Sequence, residues 1–270
     1  LYNKNLFTTA VVNDVVPQLV NFYKTLSNAE SVDEIYKSIS EKFKEFNALE
    51  EIEERKDYFT KMRGEFNHLW LEEQRNTVMH KESLDYLTEE NSIKSTVLLY
   101  VINKTCFNGL FRVNKSGMFN VPLGSYKKII MPSLSEFKET TDALKKTKVH
   151  FGDYEVLIQK SLESKNTFIY LDPPYVANSK TSDFTSYSKE GFKGDDNPDA
   201  EHLRLSKNFQ LIAESGTKAI LSNHNNPRAL SIFVENKKNI FVYEINLTKT
   251  IGRVKGSANT SSELLISTFE

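Results

Sequence analysis

The chain is poor in the residues that mark several large protein classes. It has one cysteine, Cys106, in 270 residues, which excludes an intramolecular disulfide framework and fits a reducing compartment. No run of about 18 apolar residues occurs, so nothing reads as a membrane-spanning helix. The five histidines fall at no metal-ligand spacing, and no metal is expected. Glycine is scarce, 10 in all with Gly64 the first. Between Ser31 and Asn103 that glycine stands alone and proline is absent, so the usual helix breakers are missing there. The opening Leu1-Tyr2-Asn3-Lys4 has no initiator Met and no basic-then-apolar signal pattern, and the expectation is a chain lacking its natural beginning.

What is present is the composition of a folded protein, 39% hydrophobic and 26% charged. The length allows one large domain or two modest ones. The 35 basic and 36 acidic residues hide an uneven pattern. Residues Glu30–Glu90 carry a net −8, Asn103–His150 a net +6 and Thr217–Ser257 a net +5. Two basic regions on an otherwise acidic chain are the footprint of a polyanion binder. A solvated lysine-rich surface is the plainer alternative, and charge alone does not separate the two.

Apolar runs and periodicity predict an α/β order of elements. Leu6–Val12 reads as a strand, followed by Asn13-Asp14 and a helix over Val15–Leu26, with Pro17 tolerated in its first turn. From Ser31 to Asn103 the period is helical. Ile35, Ile39, Phe43 and Phe46 recur at helical spacing, as do Tyr58, Met62, Phe66 and Leu69, and the Thr88–Asn91 cap precedes the apolar Val97–Ile102. Val113 to Phe119, with Asn-Lys-Ser-Gly between, signals a hairpin. Strands follow at Val149–Asp153, Phe168–Leu171, Ala219–Leu221, Ile240–Leu247 and Leu264–Phe269, with helices at Val156–Glu163, His202–Ser215 and after Asn225. This alternation predicts a mostly parallel sheet. Residues 176–200 read as a long loop whose Phe184, Tyr187 and Phe192 suit a lid, or simply pin the loop down.

The sharpest feature is Asp172-Pro173-Pro174-Tyr175, directly after a four-residue apolar strand. Ligands of open α/β sheets sit beyond the carboxyl ends of strands. Two prolines fix the backbone and remove its N–H groups, so the carbonyls of Asp172 and Pro173 are held as acceptors. A carboxylate, a fixed carbonyl and an aromatic ring suit a flat base bearing an exocyclic amine. The two acceptors take its N–H bonds and draw its nitrogen toward tetrahedral, while the ring stacks. A rigid turn in which Asp172 caps a backbone group is the alternative.

Taken with Asn103–Tyr126 (NKTCFNGLFRVNKSGMFNVPLGSY), this motif resembles the Dam-like, alpha-type DNA adenine-N6 methyltransferases. Asn13-Asp14, Gly152-Asp153-Tyr154, Asp183–Tyr187 and Ser222-Asn223-His224 fall in that family's order, and the similarity runs from Ala10 to Phe269. The resemblance implies a Rossmann-like methyltransferase sheet, residues 1–30 and 148–270, with an inserted helical and β-hairpin target-recognition domain, residues 31–147. It implies S-adenosylmethionine as cofactor, with Asp14 on its ribose, Asp153 and Tyr154 lining its adenine pocket, and Asp172 touching both amine and cofactor. Asp172, Pro173, Pro174 and Tyr175 would form the catalytic corner. Phe107, Asn108, Leu110, Arg112, Asn114, Pro122, Ser125 and Lys127 would face double-stranded DNA, and Arg253 and Lys255 its backbone. Plainer roles stand beside these: Asp14 as a helix N-cap, Arg112 in an ion pair with the acidic helices, Phe107 in the core, His224 as an ordinary strand-end histidine. No membrane is implied. A cognate restriction endonuclease is a further expected partner, and the bacterial or phage-infected cytoplasm the expected compartment.

Two departures qualify the resemblance. The family's Phe-x-Gly-x-Gly-type cofactor loop would fall before Leu1, so a catalytically silent DNA-binding fragment is the second reading. After Pro-x-Gly, GATC-reading members usually carry Arg, whereas here the residue is Ser125, which cannot bond guanine bidentately. A site other than GATC is therefore expected, with Lys127 or Lys128 a weaker substitute. Cytosine-N4 transfer shares the chemistry but is disfavoured by Asp, in place of Ser, before Pro-Pro-Tyr. The leading expectation is site-specific methyl transfer to N6 of a flipped-out adenine.

Overall fold

A computed structural model describes residues 7–28, 30, 32–76, 87–164, 166–177, 192, 197–248 and 260–270. The chain divides into two compact units, Leu1–Asp153 and Tyr154–Glu270. Asp183–Tyr187, Arg253 and Lys255 lie outside the described residues, as does most of the expected lid.

In the first unit β1 (Ala10–Asp14) pairs in parallel with β2 (Thr147–Phe151), Asp14 opposite Phe151. Between them run α1 (Pro17–Asn28), α2 (Val32–Ala48), α3 (Ile52–Asn76), α4 (Glu89–Thr105) and α5 (Leu134–Lys145). The predicted helical period is met: Ile35, Ile39, Phe43 and Phe46 are all buried, packed in one cluster with Phe59, Phe66, Leu98 and Ile102. The start of α4 is capped as the sequence indicates, and α5, which the sequence reading did not anticipate, is capped as well. Thr88 accepts the Asn91 N–H, and Ser133 with Glu136 closes a capping box before α5. Cys106 is fully buried, and burial pushes its thiol up to about 11, so it is an inert packing group.

The hairpin differs from expectation. Among the described residues no strand ladder forms there, only the isolated bridges Val113–Phe119 and Cys106–Leu123. A few backbone bonds cross the turn, such as Asn114 N–H to the Met118 carbonyl and Asn120 N–H to the Arg112 carbonyl, and helix side chains take others. Asn67 donates to the Phe119 carbonyl at 3.0 Å and accepts the Phe119 N–H at 2.8 Å. Asn47 does the same for Ile129, at 3.0 and 2.8 Å, and Arg63 donates to the Val121 carbonyl at 3.3 Å. A side-chain amide offers one donor and one acceptor, as a neighbouring strand would, which satisfies the backbone without a second strand.

In the second unit α6 (Tyr154–Leu162) precedes β3 (Phe168–Leu171), then α7 (Ala200–Ser215), β4 (Lys218–His224), α8 (Pro227–Phe233), β5 (Phe241–Thr248) and β6 (Thr260–Ser267). The sheet order is β3-β4-β6-β5, and Phe209, Ile212, Leu221, Phe233 and Ile266 are buried in its core. Only β3–β4 is parallel; β4–β6 and β5–β6 are antiparallel. The sheet is thus mixed where the sequence suggested mostly parallel pairing. Parallel neighbours need a crossover, supplied here by α7, whereas consecutive antiparallel strands need none. The architecture is mixed α/β, as expected.

Removing the ring at the centre of the helical cluster should be costly. Phe46→Ala should lower stability by about 3–5 kcal/mol, read as a drop in the urea midpoint of the far-ultraviolet helical signal.

Candidate active site

β3 ends at Leu171, so Asp172 stands just past its carboxyl end. Its side chain is exposed, and its Oδ1 accepts a 2.7 Å hydrogen bond from Ser222 Oγ on the neighbouring β4. Ser222 Oγ in turn accepts from the Tyr170 hydroxyl at 3.3 Å. The carboxylate therefore has one oxygen engaged and a fixed orientation. Pro173 follows half-buried, and among the described residues nothing donates to its carbonyl. Tyr175 is half-buried too. Its hydroxyl donates to Glu263 Oε2 on β6 at 3.2 Å, and its ring meets His224 edge-on, centroids 4.8 Å apart at 83°. The ring is held at two points, yet it is not sunk in the core. Burial raises the Tyr175 phenol to about 12; the carboxylates of Glu263 and Asp172 add to this, and hydrogen bonding to Ser222 opposes it.

The first unit carries the other acidic strand end. Asp14 closes β1 and its Oδ1 accepts the Val16 N–H at 2.8 Å, so it does cap the turn into α1. Burial raises its pKa while backbone N–H bonds from Val16 and Val15 oppose this. Beside it Gly152 donates its N–H to the Asp14 carbonyl at 3.2 Å, and Asn13 donates to the Gly152 carbonyl at 3.1 Å. His150 Nδ1 sits 2.7 Å from Asn13 Oδ1, which accepts only, so Nδ1 carries the proton. Gly152 has φ of 135°, a value closed to other residues, and this turns the chain so that Asp153 follows exposed beside the end of β1. Asp14 and Asp153 thus stand at the carboxyl ends of two paired parallel strands. Tyr154, opening the second unit, is half-buried with the Arg204 guanidinium 4.6 Å above its ring, and Arg204 is itself paired to Glu155 and Glu201.

Along the hairpin, Phe107, Asn108, Leu110, Arg112, Pro122, Ser125, Lys127 and Lys128 are all exposed and Asn114 is half-buried. Phe107 is 49% exposed and Leu110 40%, which removes the core reading of Phe107. They flank a 3-10 turn in which Asn108 and Gly109 take φ of 55° and 64°, a left-handed pair suited to Asn and Gly. Among the described residues Arg112 pairs with no acidic side chain of the helices. Its Nε donates to Asn120 Oδ1 at 2.8 Å, and its Nη2 to the Asn120 carbonyl at 3.5 Å, across the hairpin. Asn114 Oδ1 accepts the N–H groups of Ser116 and Met118, so it builds the turn itself. Five partners went without a role in the sequence reading: Ser222, Glu263, Asn120, His202 and Asn226. The polar run Ser222–Asn226 ending an apolar strand was the available signal for two of them. Among the described residues no cluster of His, Cys, Asp and Glu could hold a metal ion, and no helix is long and apolar enough to cross a membrane.

A mixed α/β chain that presents a carboxylate, a proline-locked carbonyl and a tyrosine at one strand end has the equipment of enzymes that modify an exocyclic base amine. The chain belongs to the family of D12 class N6 adenine-specific DNA methyltransferases, whose model matches residues 1–251. It is 34% identical over 226 residues to the Type II methyltransferase M.MjaIII of Methanocaldococcus jannaschii, covering 84% of this chain and 69% of that protein. Similarity to the DNA adenine methylase of Vibrio cholerae is 28% over 261 residues, 96% of this chain and 79% of the other. The DNA N-6-adenine-methyltransferase of Escherichia phage P1 is 29% identical over 233 residues, 86% of this chain but 25% of the phage protein. The substrate is DNA and the reaction is site-specific methylation of adenine at N6. That specificity sets aside the cytosine-N4 alternative.

The raised Tyr175 phenol gives a pH signature. A difference titration at 295 nm between wild type and Tyr175→Phe should show the lost phenol ionising near 12, not near 10. Because the folded pKa is the higher one, this group's contribution to stability is intact below about pH 10 and is lost as pH rises from there toward 12.

Proposed function

We propose that the Asp172–Tyr175 corner receives the adenine's exocyclic nitrogen and that S-adenosylmethionine is the methyl donor. The observation that carries this reading is Asp172 itself, exposed at the strand end and oriented by Ser222 at 2.7 Å. The carboxylate and the Pro173 carbonyl each accept one amine N–H, which turns the nitrogen lone pair out of the ring plane. Tyr175, its ring fixed by Glu263 and His224, offers a face for the base. A strong base is unnecessary, since the amine proton becomes acidic once the nitrogen is alkylated, and positioning supplies most of the rate. When bound, the cofactor supplies a methyl group on an electrophilic sulfonium. Asp14 and Asp153, carboxylates at adjoining strand ends, fit ribose and adenine donors.

The target base leaves the duplex to reach the corner, at a cost of a few kcal/mol. Residues 31–147 form the sequence-reading part, and residues 1–30 with 148–270 the catalytic part. The exposed Phe107 and Leu110 meet bases through apolar contact. Arg112, braced by Asn120, reads a base edge, while Lys127 and Lys128 meet phosphates. Ser125, with no guanidinium to offer, points away from GATC as the site. A restriction endonuclease of the same specificity is the natural companion of such an activity, and the cytoplasm its place.

Two substitutions test this in the full-length protein with duplex DNA and S-adenosylmethionine labelled in its methyl group. Wild type should place label on adenine N6, and Asp172→Ala should lower kcat by about 10²–10³-fold or more. Label on cytosine, or full turnover without the Asp172 carboxylate, overturns the reading. Arg112→Ala should cost about 1–3 kcal/mol of discrimination at one base pair, seen as relaxed preference across a panel of single-mismatch duplexes.

A further inference from the structure

From Asp172 to Val176 the chain has left β3 and joins no ladder, and three buried side chains take the bonds that a sheet would have supplied. His202, on α7 and 3% exposed, has Nε2 at 2.8 Å from the Pro174 carbonyl. A carbonyl only accepts, so Nε2 carries the proton. Asn223, fully buried on β4, accepts the Val176 N–H at 2.9 Å, and its Oδ1 also accepts the His224 N–H at 2.9 Å. Asn226 donates Nδ2 to the Val176 carbonyl at 3.0 Å, while its Oδ1 accepts the Ala229 N–H at 2.7 Å as N-cap of α8. Val176 is therefore gripped by both its backbone groups, and Pro174 by its carbonyl.

We infer that His202, Asn223 and Asn226 are positioning residues for methyl transfer: by pinning the backbone immediately after Pro173, they hold the Pro173 carbonyl and the Tyr175 ring in one orientation. The inference rests on the corner being the amine's binding place. The prolines fix their own φ and restrict ψ at Asp172 and Pro173, but ψ at Pro174 and the dihedrals beyond it stay free, so the end of the turn needs outside partners to become rigid. Asn223 lies near the end of β4 and Asn226 on the turn that joins β4 to α8, and Ser222, which orients Asp172, immediately precedes Asn223. One strand end thus sets carboxylate and carbonyl together, and a displacement of about 1 Å in such a group costs on the order of 100-fold in rate.

The test compares wild type with Asp172→Ala, His202→Leu, His202→Gln and Asn226→Ser in the full-length protein, measuring kcat and KM for duplex DNA together with the melting midpoint. Serine caps a helix about as well as asparagine but is too short to reach Val176, so Asn226→Ser deletes the clamp and keeps the fold. His202→Leu and Asn226→Ser should each lower kcat about tenfold or more with KM changed less than about threefold. His202→Gln, whose amide N–H restores a donor to Pro174, should recover most of the lost turnover. If Asp172→Ala is inactive while Asn226→Ser and His202→Leu turn over like wild type, the clamp is wrong and the corner stands. A His202→Gln protein as slow as His202→Leu would equally overturn the clamp. Full activity in Asp172→Ala would bring down the corner reading and the clamp with it. Should His202→Leu fail to fold, Asn226→Ser alone decides.

Discussion

Pro173 and Pro174 have no N–H to give, so the chain beyond β3 cannot extend the sheet, and the architecture of the corner follows from that one deficit. A strand that stopped at any other pair of residues could continue its ladder with β4. Here the ladder ends at Leu171 opposite Leu221, and the next residues of β4 turn their side chains to the work instead. Ser222 orients the Asp172 carboxylate, Asn223 takes the Val176 N–H, and His224 supports the Tyr175 ring. Those three consecutive residues would be poor choices in a buried strand with a partner on both sides, because each brings a polar group that must be satisfied. Beside a proline-terminated neighbour Asn223 satisfies the freed backbone and Ser222 the exposed carboxylate, and burial makes the Asn223 bond stiffer than it would be in water.

The first unit solves the same difficulty at its hairpin. The segment after Phe107 exposes part of its side chains, buries Val113, Phe119 and Val121, and does not form an extended ladder with itself. Asn67 and Asn47 each close a two-bond pair with a single residue of that segment, and Arg63 adds a third support on the carbonyl of Val121. A helix with long polar side chains has taken the place of a strand. The arrangement frees the opposite side of the segment from the sheet's twist and fixed register. Its exposed Phe107, Leu110 and Arg112 are presented by a surface anchored at several points on a rigid helical core. On the reading proposed above, the helices of the first unit contribute to DNA reading through geometry, although the sequence of Glu30–Glu90 is net acidic.

Much of this was legible in the order of residues. The helical period of Ile35, Ile39, Phe43 and Phe46 set the buried face of α2, and Thr88 marked a helix start that the structure caps as expected. The Asp172–Tyr175 corner was recognisable because proline pairs after an apolar strand have few other uses. What was hidden is contact between residues far apart in sequence. Nothing near Asp172 announces Ser222, 50 positions on, and nothing near Tyr175 announces Glu263. The antiparallel placement of β6 between β4 and β5 was likewise invisible, since a strand's own pattern records which face is buried but not which neighbour it takes. Arg112 illustrates the same limit. Charge made an acidic partner on the helices plausible, yet the shorter route was the amide of Asn120 directly across the turn.

The charge pattern then acquires a physical meaning within the first unit. Residues Glu30–Glu90 carry a net −8 and Asn103–His150 a net +6, and the exposed ion pairs among them, such as Lys138 with Asp33 at 2.8 Å, are few and solvent-screened. A protein that bound DNA by uniform basic charge would hold any sequence tightly and leave it slowly. If DNA meets the hairpin as proposed above, segregating the signs confines attraction to that side, and a wrongly oriented encounter meets repulsion from the acidic helices within about a Debye length. Fewer phosphate contacts also weaken non-specific binding and its dependence on salt. On the reading proposed above, more of the discrimination is then left to the exposed side chains of the hairpin, and the Arg112 guanidinium is held by Asn120 before any DNA arrives.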